Sequence, residues 1–123
     1  MGPAEWERDE VGWKLWAKNI VEAMRVMSPR PAERVLQIGC AAKDAIDYLP
    51  YRLRFGLDPL AHFYRKSFGD LATGVTHVQA VGEFLPFRNG TFDAVLLLNV
   101  LDHLEEPGRI LRDVLRVLRR VDS

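Results

Sequence analysis

Asp58 stands at the end of the segment Leu53–Leu57, directly before Pro59. A carboxylate that closes a strand can accept hydrogen bonds from a vicinal pair of hydroxyls such as those of a ribose. It can equally cap the helix that follows, and both readings stand at this point. Gly39 ends another strand-like segment, Arg34–Ile38, where glycine admits a tight turn and the close approach of a ligand. Cys40 comes next with no basic activator nearby, and reads as a small packing residue rather than a nucleophile. Glu83 and Phe84 precede Leu85-Pro86-Phe87, and Glu83 is a carboxylate suited to a ligand or to water. Asn99, Asp102 and His103 follow the apolar run Ala94–Leu98. Asp102 and His103 form a general acid–base pair if they lie within hydrogen-bond reach, and otherwise serve a loop. No metal site is expected.

These residues gain meaning from the elements that must hold them. From about Glu10 to Met27, Trp13, Trp16, Ile20, Met24 and Met27 recur at helical spacing, which predicts an amphipathic helix that covers the core or caps a ligand. Ser28-Pro29-Arg30-Pro31 ends it. Strands are predicted at Arg34–Ile38, Leu53–Leu57, Val75–Ala80 and Asp93–Val100, the last buried on both faces because its apolar run is unbroken. Helices are expected at Ala41–Leu49, at Leu60–Ser67 with Leu60, Phe63 and Tyr64 inward, and from Glu106-Pro107 onward. In the last helix Ile110, Leu111, Val114, Leu115 and Leu118 form the apolar stripe. Its arginines, Arg109, Arg112, Arg116, Arg119 and Arg120, read as a solvated face near the helix C-terminus. Val81–Phe92 is a loop with an Asn89-Gly90 turn.

Alternating strands and helices imply a mainly parallel sheet with right-handed crossovers. Ligands of such sheets bind beyond the carboxyl ends of the strands, where Gly39, Asp58, Glu83 and Asn99 all fall. The chain of 123 residues has room for a single domain. We divide it into an N-terminal helical segment, residues 1–32, and a half-sheet core, residues 33–119. Lysine plus arginine balances aspartate plus glutamate at 17 each, which gives no electrostatic case for nucleic acid or an anionic membrane as partner. A single cysteine, the lack of a membrane-length apolar run and an acidic N-terminus without a secretory core point to a reducing, cytoplasmic setting.

Three stretches carry a resemblance to the class I S-adenosylmethionine-dependent methyltransferases: Val35–Lys43 (VLQIGCAAK), Phe55–Leu60 (FGLDPL) and Gly82–Arg119, which holds the leucine-proline-phenylalanine loop and the phenylalanine-aspartate start of a strand. The resemblance implies an α/β, Rossmann-like, mainly parallel sheet, here a truncated core of about four strands with flanking helices. It implies S-adenosylmethionine as cofactor and a small molecule as methyl acceptor. Gly39 and Cys40 would wrap the methionine part, Asp58 would hold the ribose, Glu83 and Phe84 would border the adenine, and Asn99 would lie beneath the methionine moiety. His103 is the nearby candidate for taking a proton from the acceptor.

Where the family's turn reads acidic-x-Gly-x-Gly-x-Gly, this chain has Gln37, Gly39, Ala41 and Lys43, and Val81 stands where an acidic residue often faces the adenine. Three readings are therefore open: a methyltransferase, a non-catalytic remnant acting as a homodimeric structural or interaction protein, or a binding module that holds the cofactor or its demethylated product without turnover. The resemblance implies seven strands, and this sequence supplies about four. The fourth strand, Ala94–Leu98, would then be a bare apolar edge, for which a second copy of the chain is the expected partner.

Overall fold

A computed structural model describes residues 10–27, 32–40, 44–68, 74–98 and 106–120. Four strands, β1 (Arg34–Ile38), β2 (Leu53–Leu57), β3 (Val75–Val78) and β4 (Ala94–Leu97), form a wholly parallel sheet in the order β3-β2-β1-β4. Helix α1 is Glu10–Met27, α2 is Ala61–Phe68 and α3 is Pro107–Val117. The expected α/β alternation is present, and the first strand lies inside the sheet between β2 and β4.

The period-two alternation of β1 divides the core in two. Leu36 and Ile38 join Leu57, Leu85, Phe92 and the Ile110–Val114–Val117 stripe of α3. Val35 turns the other way, onto Ala17 of α1 and onto Ile46 and Leu49. On the α3 side, three phenylalanines interlock edge to face, with ring centroids 5.4 Å apart for Phe55–Phe92 and 4.8 Å for Phe87–Phe92. That arrangement sets the positive ring edge against the negative face.

Several expectations need correction. The buried face of α1 consists of Ala17 with Ile20, Val21 and Met24, whereas Trp16 and Met27 are exposed; the Trp13 side chain lies outside the described atoms. Ile20 and Met24 lie on the expected stripe, and Ala17 between them and the helix start lets the helix sit close, whereas Trp16 and Met27 fall at its exposed margin. The helix expected at Ala41–Leu49 is, within the described residues, one 3-10 turn at Ala45–Tyr48. Asp44 caps it by accepting from the Ala45 N–H at 2.6 Å, and Asp47 reaches back to the Asp44 N–H at 2.7 Å. In α2 it is Ala61 that is buried, while Leu60 and Phe63 face outward. In α3, Val117 completes the buried stripe, and Leu111 and Leu115 are exposed. Strand β4 is half-buried along its length, because it is an edge strand with a neighbour on one side.

Two polar links close the amino-terminal rim of the sheet. Asp93, just before β4, accepts from the N–H groups of Glu33 and Arg34 at 2.8 and 2.9 Å and pairs with Arg119 at 3.0 Å. Burial pushes this carboxyl up, but those N–H donors and the cationic neighbours outweigh it and hold it below the usual carboxylate range. Arg54 of β2 donates to the carbonyls of Ile46 and Asp47 at 3.1 and 3.0 Å, so a charged residue in a central strand ends on the 3-10 turn. Among the described residues no helix is long and apolar enough to cross a membrane.

Candidate functional site at the carboxyl ends of the strands

Parallel strands deliver their following residues to one rim, and three of the four strand ends are described there. Gly39 leaves β1 with φ of 77°, a left-handed conformation that glycine adopts without strain. Its N–H donates to the Leu57 carbonyl at 2.7 Å, which ties the turn after β1 to the end of β2. Asp58 follows Leu57, and its own N–H donates to the Val78 carbonyl at 3.1 Å, linking it to the end of β3. Gly39 and Asp58 are therefore neighbours on one rim.

Asp58 is buried, with the residue 8% exposed. Its Oδ1 accepts from the Leu60 N–H at 2.9 Å, and its carbonyl accepts from the Ala61 N–H at 3.2 Å, so it starts α2 as the capping reading required. A carboxylate has about four acceptor positions, so this cap and a diol-binding role are compatible.

Gln37 is fully buried and, on its sheet face, looks toward the 3-10 turn. Its Oε1 accepts from the Ile46 N–H at 3.0 Å. The residue standing in place of the expected acid thus holds the turn as a neutral acceptor. Burial raises the neighbouring Asp44 carboxyl, a shift only partly offset by the Ala45 N–H and the Gln37 side chain.

Cys40 is buried, and its thiol is pushed up to about 12 by desolvation and then by the charges of Asp58, Asp47 and Asp44. It stays a thiol at neutral pH, in accord with packing rather than nucleophilic chemistry. Its Sγ lies 4.0 Å from His77 Nδ1 of β3. Gly56 makes that meeting possible, since a Cβ there would sit 2.7 Å from the sulfur. Burial and the nearby Arg65 hold the His77 imidazole below its ordinary value, favouring the neutral ring.

The third strand end leads to a turn at Val81–Leu85. Gly82 is buried against β1 and α3, where a Cβ would fall 2.5 Å from Ile110 Cδ1 and 3.1 Å from Ile38 Cγ2. Glycine here brings the turn against the carboxyl end of β1. Glu83 is half-buried, and Phe84 is 65% exposed with the Arg109 guanidinium 5.4 Å above its ring. Asn99, Asp102 and His103, and with them Ala41 and Lys43 of the glycine turn, lie outside the described residues.

The arginine face of α3 departs from the expected solvated row. Arg116 donates to Asp113 and to the carbonyls of Leu85 and Phe87, and Asp113 accepts from the Leu85 N–H. Asp113 precedes Arg116 by three residues, a spacing that places the pair on one helix flank and was readable as such.

A family model describing a methyltransferase domain matches residues 36–121. The chain belongs to the class I S-adenosylmethionine-dependent methyltransferases. An uncharacterized protein of Methanocaldococcus jannaschii is 30% identical over 105 residues, covering 84% of this chain and 47% of that one. Among solved structures, a putative S-adenosylmethionine-dependent methyltransferase of Methanococcus maripaludis superposes with a TM-score of 0.71 at 16% identity, over 87% of this chain and 51% of the other. A possible histamine N-methyltransferase of Thermotoga maritima gives 0.58 at 21% identity, over 88% and 57%. At these identities the structural likenesses speak for the methyltransferase fold alone. The chain spans about half the length of the relatives it matches.

Proposed function

We propose that this methyltransferase domain binds S-adenosylmethionine at the joined ends of β1 and β2, and that the protein transfers a methyl group to a small-molecule acceptor. The observation that carries the reading is Asp58. It is a buried carboxylate at the end of β2, held beside the left-handed Gly39 through the Gly39–Leu57 hydrogen bond. The residue type fits the ribose end of the cofactor: a carboxylate accepts several hydrogen bonds at once, and that of Asp58 stands at the strand end with the Leu60 N–H among its donors. Gly39 leaves the main chain approachable, and Gly82 seats the following turn close by. The adenine end has less to offer, since the Val81 side chain carries no acceptor for an amino group and its carbonyl already accepts from the Phe84 N–H.

The bound cofactor supplies an electrophilic methyl group, so the protein's work is to bind and align. Asp58 would hold the ribose, Gly39 and Cys40 would border the methionine part, and Glu83 and Phe84 the adenine. Asn99 beneath the methionine part and His103 as proton acceptor complete the proposed site.

Calorimetric titration with S-adenosylmethionine and with its demethylated product, S-adenosylhomocysteine, tests the reading. Saturable binding at micromolar strength, weakened about a hundredfold in Asp58→Ala, is the expected result. No heat from folded protein at high ligand concentration would overturn it.

The open edge of β4 favours a second reading, a homodimeric structural or interaction protein. Asp113 and Arg116 grip the loop that packs on β2, so the opposite flank of α3, with exposed Leu111 and Leu115, lies toward β4 and its unpaired edge. An apolar flank beside an open strand suits pairing with a second copy. Light scattering at micromolar concentration is expected to give a dimer that Leu115→Glu converts to a folded monomer; a monomeric native chain would refute this reading.

A further inference from the structure

The turn that borders the proposed cofactor site is held from two sides. From below, Gly82 lets it settle on Ile38 and Ile110. From the flank, α3 takes hold of its last residue through two side chains one helical turn apart. Asp113 Oδ2 accepts the Leu85 N–H, and Arg116 Nη2 donates to the Leu85 carbonyl at 2.8 Å. Both peptide planes that meet at Leu85 are therefore fixed in orientation. Arg116 Nη1 continues the grip to the Phe87 carbonyl at 2.7 Å and to Asn89 Oδ1 at 3.0 Å. Its Nε donates to Asp113 Oδ1 at 2.7 Å, so each member of the pair orients the other.

Apolar anchoring alone would set only the depth of this loop, since Leu85 is buried and Phe87 packs on the same core. A hydrophobic contact does not dictate which way a peptide plane faces. The flat guanidinium fork, with donors in fixed directions, does.

We propose that Asp113 and Arg116 are positioning residues for the ligand site, holding the Val81–Phe84 turn in the orientation a ligand at Gly39 and Asp58 meets. The role rests on the cofactor-binding reading above. Neither residue is assigned to touch the ligand, and both act through the backbone of Leu85.

The experiment measures S-adenosylhomocysteine affinity by calorimetry, together with the thermal midpoint and hydrogen exchange of the 80–89 segment. The variants are Arg116→Lys, Arg116→Ala and Asn89→Ala. Arg116→Lys keeps the charge but loses the fork, so affinity is expected to fall about tenfold, with faster exchange in 80–89 and protected β1 and β2. Guanidinium ion at millimolar concentration is expected to restore part of the affinity of Arg116→Ala, a rescue that a lost packing contact would not show. Asn89→Ala removes a single exposed contact and covers the case in which the arginine variants fail to fold; its expected loss is about twofold. Native affinity in every folded variant, with Asp58→Ala still impaired, overturns the positioning role and leaves the binding reading intact. Absence of binding in the native chain overturns the binding reading and the positioning role together, and is recognised because it needs no variant.

Discussion

The two faces of the sheet are built on different principles. The α3 face is apolar and interlocked: Phe55, Phe87 and Phe92 pack ring against ring under Ile110, Val114 and Val117. Its polar groups sit at its margins, as the Asp113–Arg116 grip and the Asp93–Arg119 pair. The α1 face is centred on aliphatic side chains and a thiol, Ala17, Val35, Cys40, Ile46 and Leu49, and admits polar groups inside it: Gln37, His77 and the guanidinium of Arg54. The candidate site grows out of this second face, where Cys40 and Asp58 come close at the ends of β1 and β2 and Gln37 holds the 3-10 turn beside them. One face supplies cohesion while the other trades packing for placed polar atoms, as sites commonly do.

The largest effect that follows is on the cohesive face. Phe92→Ala removes the ring common to two of the aromatic contacts and is expected to cost about 3–5 kcal/mol, whereas Cys40→Ala on the other face costs less, about 1 kcal/mol. Urea denaturation of the two variants checks the asymmetry. Equal losses would mean that the faces do not differ in the way their composition indicates.

A smaller effect sharpens the picture at the site. Gly56→Ala places a methyl group 2.7 Å from the Cys40 sulfur and 3.4 Å from His77 Nδ1, and is expected to cost about 1–3 kcal/mol. Cys40→Ala in the same chain frees that space, so the double variant should recover most of the loss. Additive losses in a double-mutant cycle would show that the strain lies elsewhere.

What could be read from the residues alone follows the same division. The strands were legible because period-two and unbroken apolar runs report burial directly, and Gly39 and Asp58 were legible because a parallel sheet sends its strand ends to one rim. The covering stripes were read less well. Trp16, Leu111 and Leu115 looked like core residues by spacing, yet a helix flank is buried only where the sheet extends beneath it. On α1, Ala17 marks the contact line; on α3, β4 is the outermost strand among the described residues. Helical spacing makes Arg116 a solvated charge, because it says nothing about a loop 27 to 31 residues away in sequence that returns to lie beside it. The role of Gly82 was hidden for the same reason, since its contacts with Ile38 and Ile110 exist only after the turn has docked.

The smallest effect distinguishes the faces by the sign of their response to acid. Asp113 is held below its ordinary value of 3.8, first by the hydrogen bond from Arg116 and also by the Leu85 N–H, against the opposing effect of burial. A carboxyl depressed in the folded chain contributes stability that is present above 3.8 and is lost as pH falls through the lower folded value. Asp44, beside the 3-10 turn on the other face, is raised above 3.8, chiefly by burial. Its contribution has the opposite sign: it is fully present below 3.8 and is lost as pH rises through the folded value. Between about pH 6 and about pH 2, Asp113→Asn should therefore flatten the loss of stability at the acid end, below about 3.8, and Asp44→Asn should steepen it at the upper end, above about 3.8. Urea midpoints measured across that range decide the matter. Two curves that shift in the same direction would mean that Asp44 is not held in a desolvated position at all, and that the polar face of the sheet is more open to water than its packing implies.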